Sequence, residues 1–417
     1  MTDSLSCDVL VVGAGAAGMS AASAAAASGA NVVLLERYGF LGGLATAARV
    51  GTICGLPADA DPRMETRGCF PFVRGWLDSL ARSSRTECIR LPGELTVLPY
   101  DSWAFRRLAD DRVAATEGLT PLLHATLVDV NVRGEGDIEA RALVWDRLLG
   151  LHARSLIDCS GSATAVRLAG GPVTETTPSQ AAGVVFSMEG LASGLDELSV
   201  RLSVLRRVGR AVDEGNLSKA CASASFVPGS THDQRVDIKL ALDPRPVCET
   251  WLRMSKLEIE ARRAVGELSA FLVAEIAAFR PAHVGRVAAQ VGIRADGLVR
   301  GRKVLSQDDV LQGTCFDDGV AWGTWPIEEW SASGSPRLSR LRADGCYEIP
   351  LRCMQVDGMD DVWVAGRCLA ADSRALASAR VIGTALQTGW AAGSAAADRA
   401  LGRPEHETIA RLRGESS

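Results

Sequence analysis

Short apolar runs separated by small residues open the chain. Cys7–Val12 (C-D-V-L-V-V) has the uninterrupted, β-branched pattern of a strand buried on both faces. Ala16–Ser28 is mostly alanine, which favours a helix, and Gly29 lies where a helix would end. Asn31–Leu35 repeats the buried-strand pattern. The N-terminal segment therefore predicts one βαβ unit.

The pattern changes twice farther along the chain. Helical patterns at Val73–Arg82 and Ser102–Thr116 are followed, from Thr120, by alternating strand-like segments. A more charged region with a long helical pattern at Cys248–Phe279 comes next, and after Val362 the strand–turn–helix pattern returns. The expected division is a discontinuous nucleotide-binding domain (residues 1–168 and 346–405), an inserted substrate or cap domain (residues 169–345) and a flexible C-terminal tail (residues 406–417).

A glycine motif joins the first strand to the first helix. Its pattern is G-x-G-x-x-G, and Glu36 follows the second strand, which together form the fingerprint of a dinucleotide site. The glycines permit a tight turn, close approach to a pyrophosphate and helix–sheet packing, while the helix start offers free amides to phosphate. Glu36 is placed to accept hydrogen bonds from the adenosine ribose. The predicted contacts are Gly13, Gly15, Ala16, Ala17, Gly18, Glu36 and Arg37.

A second bare-backbone loop follows soon after Glu36 and reads G-G-L-A-T. FAD and NAD share the first fingerprint, so this loop decides between them. A second loop suits a cofactor that continues past the pyrophosphate to a ribityl chain and a flavin, which a simple NAD dehydrogenase does not need. We therefore predict that the protein binds FAD, with further contacts from Gly42, Gly43, Ala45 and Thr46.

Four segments resemble one group of flavoproteins. They are V-V-G-A-G-A-A-G with L-L-E-R-Y-G-F-L-G-G-L-A-T, S-L-I-D-C-S-G-S at 155–162, G-I-R to S-Q-D-D-V-L at 292–311, and the run from 347 to 393. The chain is similar to FAD-dependent oxidoreductases of the glutathione-reductase-like and fumarate-reductase-like superfamily. The resemblance implies an α/β fold, with a Rossmann-type FAD-binding domain (parallel sheet with helices, plus a small antiparallel sheet) and an inserted α+β substrate domain. It also implies FAD contacts from Val128, Ser160, Gly161, Gly366, Arg367, Arg380, Val381 and Gly383.

The helix predicted after Arg380 has a stripe of small residues on one side. The stripe, which lets the helix lie very close to a neighbour, consists of Gly389, Ala392, Gly393 and Ala396. The N-terminus of such a helix carries partial positive charge. In the resembling family that end faces the N1–C2=O edge of the flavin, where negative charge gathers on reduction.

Two departures from the family pattern concern acid–base chemistry. Ser162 stands where relatives often have Asp, and W-P-I-E-E-W at 325–330 stands where many have Y-P-I-D-x-H. None of the five histidines (124, 152, 232, 283 and 406) lies in the segments nearest the predicted flavin. We therefore predict non-covalent FAD and no histidine base.

Charged residues in the resembling segments are the candidate catalytic groups. Arg352 matches a family position near the flavin, where it would anchor a carboxylate or stabilise a developing oxyanion. Arg294 and Arg302 are similar candidates, and Asp308 and Asp309 are their expected partners. For each of these residues a purely structural ion pair is the alternative.

A second set of candidates lies in the W-P-I-E-E-W segment. Glu328 and Glu329 stand where relatives carry Asp and His, so either is a candidate base, with a solvated charge run as the alternative. Three tryptophans close by would wall a pocket for a flat or apolar substrate, or pack in a core; they are Trp322, Trp325 and Trp330. The residues predicted to be catalytic are Arg352, Glu328, Asp309 and Arg294.

Charge, cysteine spacing and hydropathy exclude several classes of function. A net charge of −5 without a basic stripe argues against nucleic-acid binding. The eleven cysteines contain no C-x-x-C pair, which excludes the common iron–sulfur and zinc spacings, and no metal site is predicted. The charge-free stretch Val9–Leu35 is rich in Gly, Ala and Ser, so we expect neither a membrane span nor a signal peptide. We expect a cytoplasmic protein with a small-molecule substrate, and a homodimer is left open.

Three functions remain in competition. The leading one is dehydrogenation of a small organic substrate by hydride transfer to flavin N5, with reoxidation by oxygen, a quinone or a partner, because the sequence has no second G-x-G-x-x-G for NAD(P)H. The second is flavin-dependent hydroxylation with NAD(P)H, against which Gly366–Arg367 stands where hydroxylases typically have Gly-Asp. The third is a flavin-binding protein that modifies RNA or has no catalytic role.

Overall fold

Helices and strands alternate through most of the chain in the computed structural model. The structure describes residues 3–56, 70–91, 93, 95–175, 180–192, 195, 198–232, 234–243, 252–294, 296–331, 336–342 and 345–414. Within these residues the helices are α1 (Ala16–Ala27), α2 (Leu44–Ala47), α3 (Pro71–Ser84), α4 (Ser102–Ala114), α5 (Thr164–Leu168), α6 (Leu198–Asp213), α7 (Arg253–Glu275), α8 (Gln307–Gln312), α9 (Ser373–Ala379), α10 (Ile382–Ala400) and α11 (Glu405–Arg413).

The strands form several sheets. In chain order they are β1 (Ser4–Val12), β2 (Val32–Leu35), β3 (Thr52–Ile53), β4 (Ile89–Leu91), β5 (Leu95–Pro99), β6 (Leu119–Leu122), β7 (Ala125–Gly134), β8 (Asp137–Val144), β9 (Arg147–Asp158), β10 (Val173–Glu175), β11 (Ala182–Glu189), β12 (Ser225–Phe226), β13 (Arg235–Leu242), β14 (His283–Val287), β15 (Gly297–Val299), β16 (Gly319–Gly323), β17 (Ile327–Glu329), β18 (Arg337–Ser339), β19 (Tyr347–Pro350) and β20 (Val362–Val364).

The largest sheet has the order β6-β2-β1-β9-β8-β7, and β20 also pairs with β9. The β6, β2, β1, β9 and β20 neighbours pair in parallel, whereas β8 pairs antiparallel with both β7 and β9. Alternate residues of β1 enter two different cores. Val9 and Val11 pack with α1 and α10, and Leu10 and Val12 pack with β7 and β8. This double burial explains the uninterrupted apolar run and confirms the α/β fold with a parallel sheet.

The inserted region contains a separate antiparallel sheet of order β12-β13-β11-β14. One face of β13, which includes Ile238 and Leu240, packs against α6 and α7 in a core formed by residues 182–291. Farther along, Leu305 and Val320 pack instead in the core of α1 and α10. The boundaries 169–345 stay a prediction, and this packing favours a shorter inserted unit.

The predicted helices lie close to the observed ones. The pattern at 73–82 corresponds to α3, and the pattern at 102–116 corresponds to α4, which Asp101 caps through the amides of Trp103 and Ala104. The long pattern at 248–279 corresponds to α7, and its first residues, 248–251, lie outside the described residues. No helix in the described part of the chain has the length and hydropathy to cross a membrane.

The predicted flexible tail differs from the structure, because α11 covers most of it. Asp398 of α10 is buried and accepts hydrogen bonds from Thr408 Oγ1 (2.8 Å) and from the guanidinium groups of Arg403 and Arg411. Leu412 packs into the core of α1 and α10. These contacts hold α11 against α10. The charged sequence of this segment gives no sign of that packing.

Candidate active site

A cavity of about 600 Å³ lies between the large parallel sheet and the inserted antiparallel sheet. Its lining includes Val12 and Leu35, which end β1 and β2, and Cys159 directly after β9. The inserted sheet contributes Val185 and Lys239. Ligands of open α/β sheets bind at the carboxyl ends of the parallel strands, and this cavity occupies that position.

The two glycine loops predicted for the cofactor meet at one end of this cavity. Gly13 has a φ of +93°, and a Cβ atom there would lie 2.7 Å from the carbonyl oxygen of Cys159. Gly43 has a φ of +52°, and a Cβ there would lie 2.8 Å from the Cα of Gly15. Gly15 and Gly42 pair as an isolated parallel bridge. The loops therefore form a cradle of bare backbone in which a larger residue has no room.

Glu36 ends β2 at the edge of this cradle and is buried. Its Oε2 accepts a hydrogen bond from the amide of Ala14 (2.8 Å), and its Oε1 accepts one from Tyr38 (3.0 Å). Burial raises the pKa of Glu36, and the two amides and Arg37 oppose that effect. The carboxylate is thus held against the glycine turn, and its remaining lone pairs are available to hydroxyl donors.

The loop after β9 forms a second wall of the cavity. Buried Asp158 accepts hydrogen bonds from the amides of Ser160 (2.9 Å) and Ala165 (2.7 Å), which fixes the loop and begins α5. The Cys368 thiol lies beside it and accepts from the Gly161 amide at 3.1 Å. Arg367 packs on Gly161, where a Cβ would overlap the guanidinium. The segments at 160–161 and 366–367 are therefore in contact.

Helix α10 begins at the cavity wall, with Val381 and Ile382 among the lining residues. Its predicted small-residue stripe packs against α1. A Cβ at Gly389 would overlap the backbone of Ala17, and one at Gly393 would overlap Ala21. The close approach expected from the stripe is confirmed, and both the glycine turn and the N-terminal residues of α10 line the cavity.

Basic side chains gather around Trp330 in another part of the cavity lining. The Lys239 ammonium lies 3.7 Å from the centre of the Trp330 ring, and the Arg294 guanidinium lies 5.0 Å from it. Glu328 lines the same space, and its Oε2 accepts from Trp325 Nε1 at 3.2 Å. Burial, followed by the charge of Arg294, lowers the pKa of Lys239 to about 8. We call Lys239, Arg294 and Arg380 the basic cluster.

Most residues predicted from the sequence line this cavity. Among the cofactor candidates these are Gly13, Gly15, Ala16, Ala17, Glu36, Arg37, Gly42, Gly43, Ala45, Ser160, Gly161, Gly366, Arg367, Arg380 and Val381. Among the catalytic candidates, Glu328 and Arg294 line it. These residues lie together as expected, and their roles stay predictions.

Four cofactor candidates do not line the cavity. Gly18 packs against the carbonyl oxygen of Gly13, and Gly383 packs against Gly55. The Thr46 hydroxyl donates to the carbonyl of Leu41 at 2.7 Å and so supports the second glycine loop. Val128 points to solvent, with 43% of its surface exposed, while residues 125–127 line the cavity.

Two catalytic candidates lie elsewhere and have structural partners. Arg352 makes a bidentate pair with Asp318, with both N–O distances at 2.9 Å, and its side chain is half exposed. Asp309 closes the capping box of α8 with Ser306 and pairs with Lys303 at 3.2 Å. Arg302, which was expected to pair with Asp308 or Asp309, contacts Asp360 instead at 2.7 Å.

Sequence reasoning missed Lys239, and it left open whether the three tryptophans wall a pocket or pack in a core. Lys239 lies in R-V-D-I-K-L-A-L, where alternate residues are charged, and that alternation is the signal that marks a polar face on a buried strand. Trp325 and Trp330 line the cavity, whereas Trp322 packs with Cys346. Among the described residues, no group of three or more His, Cys, Asp or Glu could hold a metal ion.

The features of the cavity fit FAD. The bare backbone of the two glycine loops leaves room for a pyrophosphate that any Cβ would fill, and Glu36 lies at the end of β2 for the ribose. The same cavity continues to the N-terminus of α10, where the amide dipoles favour electron-rich groups. A dinucleotide with a flavin beyond it matches both ends of this space.

One comparison with a solved structure supports the fold, and two others give weaker similarities. An anhydrotetracycline hydroxylase from Streptomyces rimosus is similar, with 13% identity, a TM-score of 0.50, and coverage of 99% of this chain and 66% of that one. A geranylgeranyl bacteriochlorophyll reductase-like protein from Thermoplasma acidophilum shares 12% identity over 99% and 83% of the two chains, with a TM-score of 0.49. A p-nitrophenol 4-monooxygenase from Pseudomonas putida shares 12% identity over 100% and 82%, with a TM-score of 0.45.

The family comparison covers nearly the whole chain. The family model described as FAD dependent oxidoreductase matches residues 8–403. No curated protein matches the sequence. The chain therefore belongs to the FAD dependent oxidoreductase family, and FAD is its cofactor.

Proposed function

We propose that this enzyme dehydrogenates a small organic substrate and passes the electrons to oxygen, a quinone or a partner protein. When bound, FAD accepts two electrons from a substrate carbon at its N5. The observation that carries the proposal is the continuity of one cavity, which extends from the glycine cradle and Glu36 to Glu328 and Trp330. A cofactor site and a substrate pocket thus share one continuous cleft of the size typical for small-molecule ligands.

The chain supplies a base and a shield in this pocket. We propose Glu328 as the group that takes a proton from the substrate, because it lines the cavity and its side chain is oriented by Trp325 Nε1. Its neighbour Glu329 pairs with Arg374 at 3.3 Å and is engaged outside the cavity lining. The Trp325 and Trp330 rings line the pocket and keep water from the reacting atoms.

The Gly42–Gly43 loop and α10 position the cofactor in this proposal. The N-terminal turn of α10 offers partial positive charge beside the cavity, which favours the reduced form of an electron acceptor held there. The sequence has no second dinucleotide fingerprint. This supports reoxidation by an acceptor other than NAD(P)H bound in its own domain.

Flavin-dependent hydroxylation is the second candidate. The anhydrotetracycline hydroxylase has the same fold, and that likeness favours this reading. The Gly366–Arg367 pair opposes it, because Arg367 packs on Gly161 at the position where hydroxylases typically carry Asp.

Acceptor specificity tests the proposal. Purified holoenzyme is assayed with a panel of small hydroxy, amino and enoyl compounds, using a quinone dye as acceptor, and separately with NADH and NADPH under oxygen. The proposal predicts substrate-dependent dye reduction and slow NAD(P)H oxidation. Rapid NAD(P)H oxidation coupled to a hydroxylated product would establish the second candidate instead.

A further inference from the structure

Lys239 of the inserted sheet faces the cavity because side chains alternate along strand β13. On β13, Ile238 and Leu240 face the helices of the inserted core, so Lys239 between them faces the opposite side. Val185, its register partner on β11, also lines the cavity. Lys239 is therefore held over the cavity by a rigid, paired strand rather than by a mobile loop.

Arg294 reaches the same space over a glycine. The Arg294 guanidinium lies in van der Waals contact with Gly183 of β11, where a Cβ would be 3.6 Å from its Nη2. Gly183 and Gly292 exchange two backbone hydrogen bonds, of 3.0 and 2.7 Å, which hold the Arg294 segment against the sheet. The Arg294 side chain also donates to the carbonyl of Ala181. Its position is thus fixed by the fold.

Arg380 completes the cluster beside the start of α10. Its Nη2 donates to Gln180 Oε1 at 2.9 Å and to the carbonyl of Glu328 at 3.4 Å. Its Nε is buried and has no hydrogen-bond partner among the described residues. Two oxygen acceptors therefore anchor the guanidinium, and the residue lines the cavity.

In the part of the chain that the structure describes, the three cations outnumber the carboxylates beside them. Among the described residues, no carboxylate oxygen lies within ion-pair distance of Lys239, Arg294 or Arg380. Burial is the largest cause that lowers the pKa of Arg294 and of Arg380, and the charge of Glu328 opposes it in both. Burying several like charges with one nearby carboxylate is unfavourable unless a ligand supplies the missing negative charge.

An apolar wall adjoins the cluster. Val97, Trp325 and Val381 pack together, with Leu91 and Leu95 against them, and all five line the cavity. Val381 directly follows Arg380, so the apolar wall begins where the basic cluster ends. A ligand that fits both features has an acidic group and an apolar body.

We propose that Lys239, Arg294 and Arg380 bind the carboxylate of the substrate, which is a small organic acid with an apolar or aromatic body against the Leu91–Val97 wall. This inference rests on the proposed function, since it assigns the substrate class of the same pocket. Gly13, Gly15 and the start of α1 would hold the dinucleotide pyrophosphate, so Arg380, first expected to contact FAD, is assigned here to the substrate. Guanidinium and ammonium groups in a low-dielectric pocket bind a carboxylate strongly.

Ligand binding to the holoenzyme tests this assignment without turnover. Phenylacetate and its uncharged isostere phenylacetamide are titrated at pH 7, with calorimetry and with the change in the flavin visible spectrum as readouts. Phenylacetate is expected to bind at least about tenfold more tightly than the amide, since a charged hydrogen bond contributes about 1.5–3 kcal/mol. Equal affinities, or no binding of the acid, would overturn the proposal.

Variants assign the effect to the cluster. Lys239→Met, and in a second variant Arg294→Met, is expected to weaken phenylacetate binding about tenfold or more while FAD content stays at the wild-type level. Lys256→Met is the matched control, because Lys256 is exposed on the outer side of α7, and it keeps wild-type affinity. A Lys239→Met protein that loses FAD but binds phenylacetate normally would assign the cluster to the cofactor and overturn the inference.

The two proposals fail separately. If phenylacetate binding depends on Lys239 but no organic acid reduces the flavin, the carboxylate subsite is supported and the proposed dehydrogenase activity is refuted. If a neutral compound reduces the flavin at the same rate in wild type and Lys239→Met, the dehydrogenase activity is supported and the carboxylate subsite is refuted.

Discussion

The ammonium group of Lys239 lies 3.7 Å above the centre of the Trp330 ring. Lys239 belongs to β13 of the inserted sheet, and Trp330 ends the W-P-I-E-E-W segment. Both residues line the cavity that has the glycine cradle at one end. A cation over an indole face is favourable and is more so when water is excluded. The contact fixes the position of a positive charge where the substrate is proposed to bind.

Anion affinity is expected to fall as the pH rises through about 8. Burial lowers the pKa of Lys239 to about 8 in the folded protein, where Arg294 and Arg380 oppose its charge and Glu328 and Cys54 favour it. Only the protonated amine attracts a carboxylate, so phenylacetate affinity is full near pH 7 and falls above the pKa toward the affinity of the Lys239→Met variant. Calorimetry between pH 6.5 and 9.5 measures this.

The Lys239→Met variant is the control for that pH dependence. It should bind phenylacetate weakly and with an affinity that no longer changes across the same range. A wild-type affinity that stays constant to pH 9.5, or a variant that keeps the full pH dependence, would assign the titration to another group.

Replacing Gly43 by Ala should lower FAD affinity. A Cβ at this position would lie 2.8 Å from the Gly15 Cα, and the φ of +52° is strained for any side chain, so the two loops must separate. Strain of about 1–3 kcal/mol corresponds to a loss of roughly tenfold to a hundredfold in FAD affinity, measured by flavin fluorescence quenching.

Gly29→Ala is the matched control for Gly43→Ala. Gly29 has a φ of +91° and nothing within 4 Å of its virtual Cβ, so substitution adds backbone strain without a clash in the cofactor cradle. It should lower thermal stability slightly and keep FAD affinity. Equal losses of FAD in both variants would show that general strain, and not the cradle, controls binding.

Glu328→Gln should slow the reductive half-reaction about a hundredfold, the usual contribution of a general base, while FAD stays bound. The adjacent Glu329→Gln variant is the control, because Glu329 pairs with Arg374 and does not line the cavity. Anaerobic stopped-flow reduction by a substrate found in the acceptor screen gives both rates. Equal rates in Glu328→Gln and wild type would remove Glu328 from the chemistry.

Asp398→Asn should lower the free energy of unfolding by about 1–3 kcal/mol, because its buried carboxylate is the group to which α11 docks. Asp111→Asn is the matched control: Asp111 also pairs with an arginine, Arg107, but is 62% exposed, so the change should stay within about 0.5 kcal/mol. Denaturant unfolding measures both. Equally small effects would mean that α11 contributes little to stability.

The nucleotide-binding half could be predicted because its signals are local. The strand, glycine turn, helix and Glu36 follow one another in sequence, and each has a distinct pattern of hydrophobic and small residues. The small-residue stripe that includes Gly389 and Gly393 likewise predicts a close helix–helix contact, even before the second helix is identified. The partner helix, α1, was itself predicted from the same kind of pattern.

The substrate side could not be predicted, since its residues meet only through long-range packing. Lys239 and Trp330 lie far apart in sequence and become neighbours because the inserted sheet covers the cavity. Arg352, in contrast, was predicted to be catalytic and does not line the cavity. It lies in a family-like segment, yet its guanidinium pairs with Asp318, a contact that no local pattern reveals.

The most direct test of the proposed function is anaerobic reduction of the holoenzyme by organic acids. Hydroxy, amino and enoyl acids with an apolar body are added in turn to the purified protein, and the visible flavin bands are followed. The account predicts that at least one acid bleaches the flavin, that its amide does so much more slowly, and that admitting oxygen or a quinone restores the colour. A flavin that dithionite bleaches but no acid or neutral analogue does would contradict it.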